Sequence, residues 1–167
     1  MMKRAESIEI LASPEKVWSV AAGQFDRIGE WSSGVRSSRP LPLESEPNPG
    51  SSLGLAGRVC DTPQGETIEK FVAFDDGQRT FTYEVSGKAM PSFVKRATNT
   101  WVLKGLGPDR TQLTMTVEME TGGFVGAIMK PMMSMGMGKV LRTNLEDLKH
   151  FVETGELHQR KKKLVAA

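Results

Sequence analysis

Few side chains in this sequence could do chemistry, and their types and spacing limit what that chemistry is. Arg58, Cys60, Glu69 and Tyr83 fall inside strand-like stretches, and Asn144 is a lone amide on an apolar helical stripe. Arginine, glutamate and tyrosine lining one cavity can polarise a carbonyl or move a proton. The direction of Glu69 is open, because both faces of its strand carry apolar residues: Ile68, Val72 and Phe74 against Phe71 and Ala73. Turned inward, it needs a partner such as Arg58 or a water, since an unpaired buried carboxylate shifts its pKa or takes up a proton. Tyr83 is a core aromatic or a ligand contact, and its hydroxyl wants a partner in either case. Asn144 is placed for a ligand, for a cavity water or for capping a nearby loop.

Other catalytic sets are missing from the pattern. Cys60 is the only cysteine. It excludes an intramolecular disulfide and a multi-cysteine metal site, and reads as a small packed hydrophobe. His150 and His158 lie in or after the last long helix without clustered cysteines or carboxylates, so neither a metal site nor a serine triad is expected. Gly54 and Gly57 precede a strand rather than a helix, which is not the setting of a phosphate-cradling loop. No cofactor is implied.

The element that must position these residues is the stretch from Gly122 to Gly155. Met133, Met137, Val140, Leu141, Asn144, Leu145, Leu148 and Val152 recur at steps of three and four, which predicts one buried stripe of a long helix. Lys139, Arg142, Glu146, Asp147 and Lys149 fall largely on the polar side. Gly155 suits the residue just past the C-terminus, and Pro131 should kink or restart the helix. The first half is rich in methionine and glycine, which suits a wall that yields to an occupant of variable shape.

Upstream, a strand over Lys3–Leu11 leads into Ser13-Pro14-Glu15-Lys16, a serine cap with proline at the first helical position. That short helix carries Val17, Trp18 and Ala21 inward, and Phe25–Glu30 forms a second one. Arg39–Ser52, with several prolines and no period, reads as a long loop or the edge of one. Five strands follow: Leu55–Cys60, Thr67–Phe74, Thr80–Val85, Lys95–Leu103 and Thr111–Met119. Short turns separate them, so they form an antiparallel meander with one dry face for the long helix to cover.

At 167 residues the chain is one domain, and a net charge of +2 does not call for nucleic acid. No stretch reaches membrane-span length and the N-terminus lacks an apolar signal core, so the expectation is a soluble cytoplasmic protein without integral membrane association. The expected domain is 1–157. Residues 158–167, with the run Arg160–Lys163, read as a flexible, solvated basic tail.

The order strand, two short helices, meander and long helix resembles the SRPBCC superfamily, with its START-like helix-grip fold. The resemblance spans Ile8 to Glu156. It rests on Ser13–Trp18, Trp31, Gly54 with Arg58 and Cys60, Glu69 with Asp75-Asp76, Arg79 with Tyr83, and Asn144-Leu145 with Leu148. It implies an α+β fold in which a curved antiparallel sheet of six to seven strands grips the C-terminal helix. Between them it implies a cavity for a hydrophobic small molecule such as a lipid, hormone or polyketide. Glu69, Tyr83, Val85 and Asn144 match positions that line the pocket in the abscisic-acid-receptor branch. That branch's carboxylate-pairing lysine and gate-and-latch sequences have no match here, so hormone-receptor function is not carried over. Trp31, Trp101, Met115, Met133, Met137, Val140 and Arg58 complete the candidate lining. The turns at Pro63-Gln64-Gly65 and Ala89-Met90-Pro91 are expected to close it. A non-catalytic binder or carrier is the leading expectation, an aromatase/cyclase-like enzyme using the same cavity the alternative. An interaction module, with a filled cavity and a large exposed apolar patch, is the third.

Overall fold

A computed structural model describes residues 1–43 and 52–167. One seven-stranded antiparallel sheet has the order β1-β7-β6-β5-β4-β3-β2. Its strands are β1 (Met2–Ile10), β2 (Ser37–Pro42), β3 (Leu55–Thr62), β4 (Gly65–Asp75), β5 (Thr80–Ser86), β6 (Val94–Gly107) and β7 (Arg110–Thr121). From β2 to β7 each strand pairs with the next, and β1 closes against β7. The helices are α1 (Pro14–Ala21), the 3-10 helix Phe25–Glu30, α2 (Gly123–Thr154) and α3 (Gln159–Ala166). This is the expected helix-grip architecture.

Local chemistry explains the boundaries. Ser13 Oγ accepts the amide of Lys16 at 3.2 Å ahead of Pro14, which sets the start of α1. Gly155 closes α2 in the left-handed conformation, at φ 73°. The helix runs through Pro131 without the restart that the sequence suggests. The region expected to be loop begins as a strand: Ser37–Pro42 pairs with β3 along the sheet edge, where a proline's missing N–H is tolerated. The rest of that expected loop, residues 44–51, lies outside the described residues.

Two departures have physical causes. In β4 the register slips between Phe71 and Ala73, a bulge that puts Phe71 and Phe74 on the same buried face and Val72 outside. The bulge explains why simple alternation left this strand unresolved. At the C-terminus, the supposed free tail is instead helix α3, capped by His158. Lys161 is buried, its Nζ donating to the carbonyls of Val35 at 2.7 Å and Arg36 at 3.4 Å. Arg160 donates to Asp147 Oδ1 at 2.9 Å and to Glu146 at 2.9 Å. Asp147, placed by the periodicity on the wet side of α2, is therefore 0% exposed. Its other oxygen accepts the backbone N–H and the hydroxyl of Ser33, at 2.8 and 2.6 Å. A second helix folded over α2 is invisible to a pattern read along α2 alone.

Removing residues 158–167 is expected to lower stability by about 2 kcal/mol, less than the full cost of breaking a buried pair because Arg160 is partly exposed. Urea denaturation of the truncated chain checks this; a dispensable tail would leave the midpoint unmoved.

Candidate functional site

The candidate site grows from the pairing of β3 with β4. Gly57 lies so close to β4 that a Cβ there would meet the Glu69 carbonyl oxygen at 1.9 Å. Only glycine permits that approach, and it fixes the next residue, Arg58, directly opposite Glu69 in the ladder. Arg58 is 2% exposed and turns into the molecule. Its Nε donates to Glu69 Oε2 at 2.6 Å, Nη1 to the Phe25 carbonyl at 2.8 Å and Nη2 to the Tyr83 hydroxyl at 3.4 Å. The guanidinium also lies 3.8 Å above the centre of the Phe25 ring. Burial alone would lower the Arg58 pKa, but Glu69, with Tyr83 and Cys60, holds it above the ordinary arginine value. Glu69 thus points inward, paired, as the sequence left open.

Tyr83 sits beyond this pair. Burial pushes its phenol well above the ordinary tyrosine value, so it stays a neutral donor at physiological pH. Its oxygen accepts from Asn99 Nδ2 at 2.9 Å as well as from Arg58. Among the described residues no hydrogen bond takes up its own proton, and Asn99 Oδ1 is buried without a partner. Were the Asn99 amide turned over, its oxygen would accept that proton and its NH₂ would be left unpaired. Either orientation leaves one hydrogen-bond donor unused beside the cavity.

The cavity itself has a volume of about 480 Å³ between the sheet and α2. Arg58, Glu69, Tyr83 and Asn99 form one polar end of its lining, and Val85, Ala97, Val117, Met119, Met137 and Leu141 supply apolar wall. The size and the ratio of apolar to polar lining are those of small-molecule sites, which run from about 300 to 1,000 Å³. Asn144 lines it too, but its Oδ1 is held by the Ser32 hydroxyl at 2.9 Å, so it also fastens the loop after the 3-10 helix. Gln64, Ala89 and Met90, from the two turns expected to close the site, all border the cavity.

The structure separates the remaining candidates. Trp31, Trp101 and Met115 are buried in the solid core and do not border the cavity, and Met133 packs partly buried against that core. Large side chains fill contacts on every side, so type and periodicity could not separate packing from lining. Val140 lies at the exposed rim. Asn99 was missed. It falls on the buried parity of β6 with Ala97, Trp101 and Leu103, where a lone amide among apolar neighbours is the signal that marks it. Cys60 is fully buried and its thiol is pushed up to about 12, chiefly by burial, so it is not a nucleophile. Among the described residues no group of three metal-ligating side chains comes together.

The sequence matches the family model described as polyketide cyclase / dehydrase and lipid transport over residues 1–153. The chain belongs to this family. No curated protein matches it in sequence. Among solved structures, a START superfamily protein from Mycobacterium smegmatis is similar at TM-score 0.72 and 15% identity, covering 93% of this chain and 100% of that one. The two-domain ARO/CYC protein BexL of the BE-7585A biosynthetic pathway gives TM-score 0.72 at 11% identity, over 92% of this chain and 47% of BexL. A point mutant of norcoclaurine synthase from Thalictrum, bound to a transition-state analogue, gives 0.67 at 18% identity, over 90% and 92%. At such identities these likenesses establish the START-like fold and leave the reaction, if any, to the site.

Glu69→Gln strands a buried guanidinium and is expected to cost about 3 kcal/mol. The double variant Arg58→Met/Glu69→Leu should recover most of that loss. Chemical denaturation of the three proteins checks both, and a single-variant loss below 1 kcal/mol, about the worth of an exposed pair, counts against the pair.

Proposed function

We propose that this protein binds and carries a hydrophobic small molecule, a lipid, polyketide or similar, bearing a neutral oxygen at one end. The observation that carries the reading is a largely apolar cavity whose polar end is already charge-balanced and holds a spare donor, the Tyr83 hydroxyl that only accepts from Arg58 and Asn99, beside the unpaired acceptor Asn99 Oδ1. A carboxylate ligand would add a second negative charge beside Glu69 against the one buried cation Arg58, at low dielectric, since Lys139 lines only the exposed rim. A carbonyl, hydroxyl or ether oxygen takes the spare donor without that cost. Val85, Met137 and the rim residue Val140 would contact the apolar body, and Glu69, Tyr83, Asn99 and Asn144 would orient the head. The turns carrying Gln64 and Met90 would close over it. In this reading the protein works in the cytoplasm, with a small molecule rather than nucleic acid as its partner.

The aromatase/cyclase reading uses the same cavity, and Glu69 is the one carboxylate among the lining residues. Its tight pairing with Arg58 favours a structural and orienting role over proton transfer. The two readings part on substitution. Tyr83→Phe removes one hydrogen bond, and a carrier should lose roughly tenfold in affinity for an oxygen-headed apolar probe, with no turnover to lose. Val85→Trp should narrow the cavity and weaken uptake of such a probe while the protein stays folded. Fluorescence titration with a long-chain alcohol or ketone competing against a dye reads both. Equal dye uptake by wild type and Val85→Trp overturns the cavity as the site.

A further inference from the structure

The apolar side of α2 changes face along its length. From Leu141 onward the apolar residues Leu141, Leu145, Leu148 and Val152 face the core. Before that, Phe124, Val125, Ile128, Met132 and Met135 face solvent, with Phe124 80% and Met135 73% exposed. Positions 124, 128, 132, 135, 139 and 142 follow one another at steps of three and four, so they form a single outward stripe, about 27 Å long at the helical rise. Its last two members are the cations Lys139 and Arg142. At its other end the Lys95 side chain lies over the start of the helix, where a Cβ on Gly122 would meet Lys95 Cε at 2.5 Å. Between Thr121 and Leu145 the sequence contains Lys130, Lys139 and Arg142 and no carboxylate. Of the acids beside the stripe, Glu6 accepts from Arg142 at 2.8 Å and Glu118 pairs with Lys3 at 2.6 Å. Arg96, across the ladder from Glu120, pairs instead with Glu84 at 2.8 Å. Among the described residues no ion pair takes up Lys95 or Lys139.

We propose that this outward face of α2 is a docking surface for an anionic lipid bilayer, on which the helix lies in the headgroup plane. Five large apolar side chains on this face, with Lys95 near one end, Lys139 at the other and no carboxylate in the helix between them, have the composition of an interfacial helix; Arg142 beyond Lys139 is already paired with Glu6. A second copy of the chain fits worse. Antiparallel pairing of two such stripes sets Lys95 of one against Lys139 of the other, and parallel pairing sets each of these cations against itself. A layer of negative headgroups satisfies both ends at once. Among the described residues no helix is long and apolar enough to cross a membrane, so the proposed contact is with the surface. The stripe also runs into the cavity rim, since Lys139 and Val140 are lining residues. Docking therefore brings the mouth to the bilayer, where an apolar cargo can be exchanged without crossing water.

The test is co-sedimentation of the full chain with vesicles of phosphatidylcholine alone or with about 30 mol % phosphatidylglycerol. The expected result is binding at least about tenfold tighter to the anionic vesicles, weakened by added salt. The triple variant Phe124→Ser/Ile128→Ser/Met132→Ser should lose it. These residues do not line the cavity, so the variant should keep its melting temperature and its uptake of the apolar probe. Measuring that uptake on the same samples separates failure of the surface from failure of the cavity reading. No binding to anionic vesicles, or equal binding by the triple variant, overturns the proposal. So does a concentration-dependent dimer that the triple variant abolishes, with no vesicle binding.

Discussion

A fully buried guanidinium governs the architecture of this protein's site. Arg58 cannot be left unpaired without a cost of several kcal/mol, so every group around it is constrained. Glu69 must face inward, the carbonyl of Phe25 must be presented by the 3-10 helix, and Tyr83 must bring its ring and hydroxyl alongside. These contacts join β3, β4, β5 and the 3-10 helix at one point. The same pairing removes net charge from the cavity's polar end. What is left there is the neutral Tyr83 hydroxyl and the unpaired Asn99 oxygen above an apolar wall, which is why geometry and electrostatics favour the same kind of guest.

The rest of the scaffold holds the wall opposite. Asp147 and Asn144, on one side of α2, both grip the loop at Ser32 and Ser33, and Lys161 of α3 grips the same loop at Val35. The loop lines the cavity, so its position depends on polar contacts with two helices. Beyond this clamp the buried residues in the first half of α2 are the glycines Gly126 and Gly138, so no full side chain is buried there. A helix anchored at its C-terminal half and loosely covered at its N-terminal half is suited to admit cargo, and its unpartnered outer face is suited to rest on a surface.

Most of the fold could be read in the sequence, because the alternation in β5 and β7 and the serine–proline start of α1 are local signals. The inward turn of Glu69 could not, because the bulge after Phe71 breaks the parity on which alternation depends. Nor could the burial of Asp147, which is set by α3 folding back from outside the helix's own pattern. Among the lining residues, Glu69, Tyr83, Val85 and Asn144 came from the family resemblance, and Asn144 also from its place on the apolar stripe. Trp31, Trp101 and Met115 were misplaced because a large apolar side chain looks the same in a core as on a cavity wall. Asn99 could have been found by asking which polar residue shares a face with Ala97 and Trp101.

The central claim is that the cavity holds a neutral, oxygen-bearing hydrophobic guest. Native mass spectrometry of detergent-free protein, followed by solvent extraction, tests it most directly. The account predicts an adduct of discrete mass that extracts into organic solvent as an uncharged molecule and is reduced in Val85→Trp. A clean unliganded mass that persists after incubation with lipid and polyketide extracts would contradict it, as would an extracted guest carrying a carboxylate or phosphate.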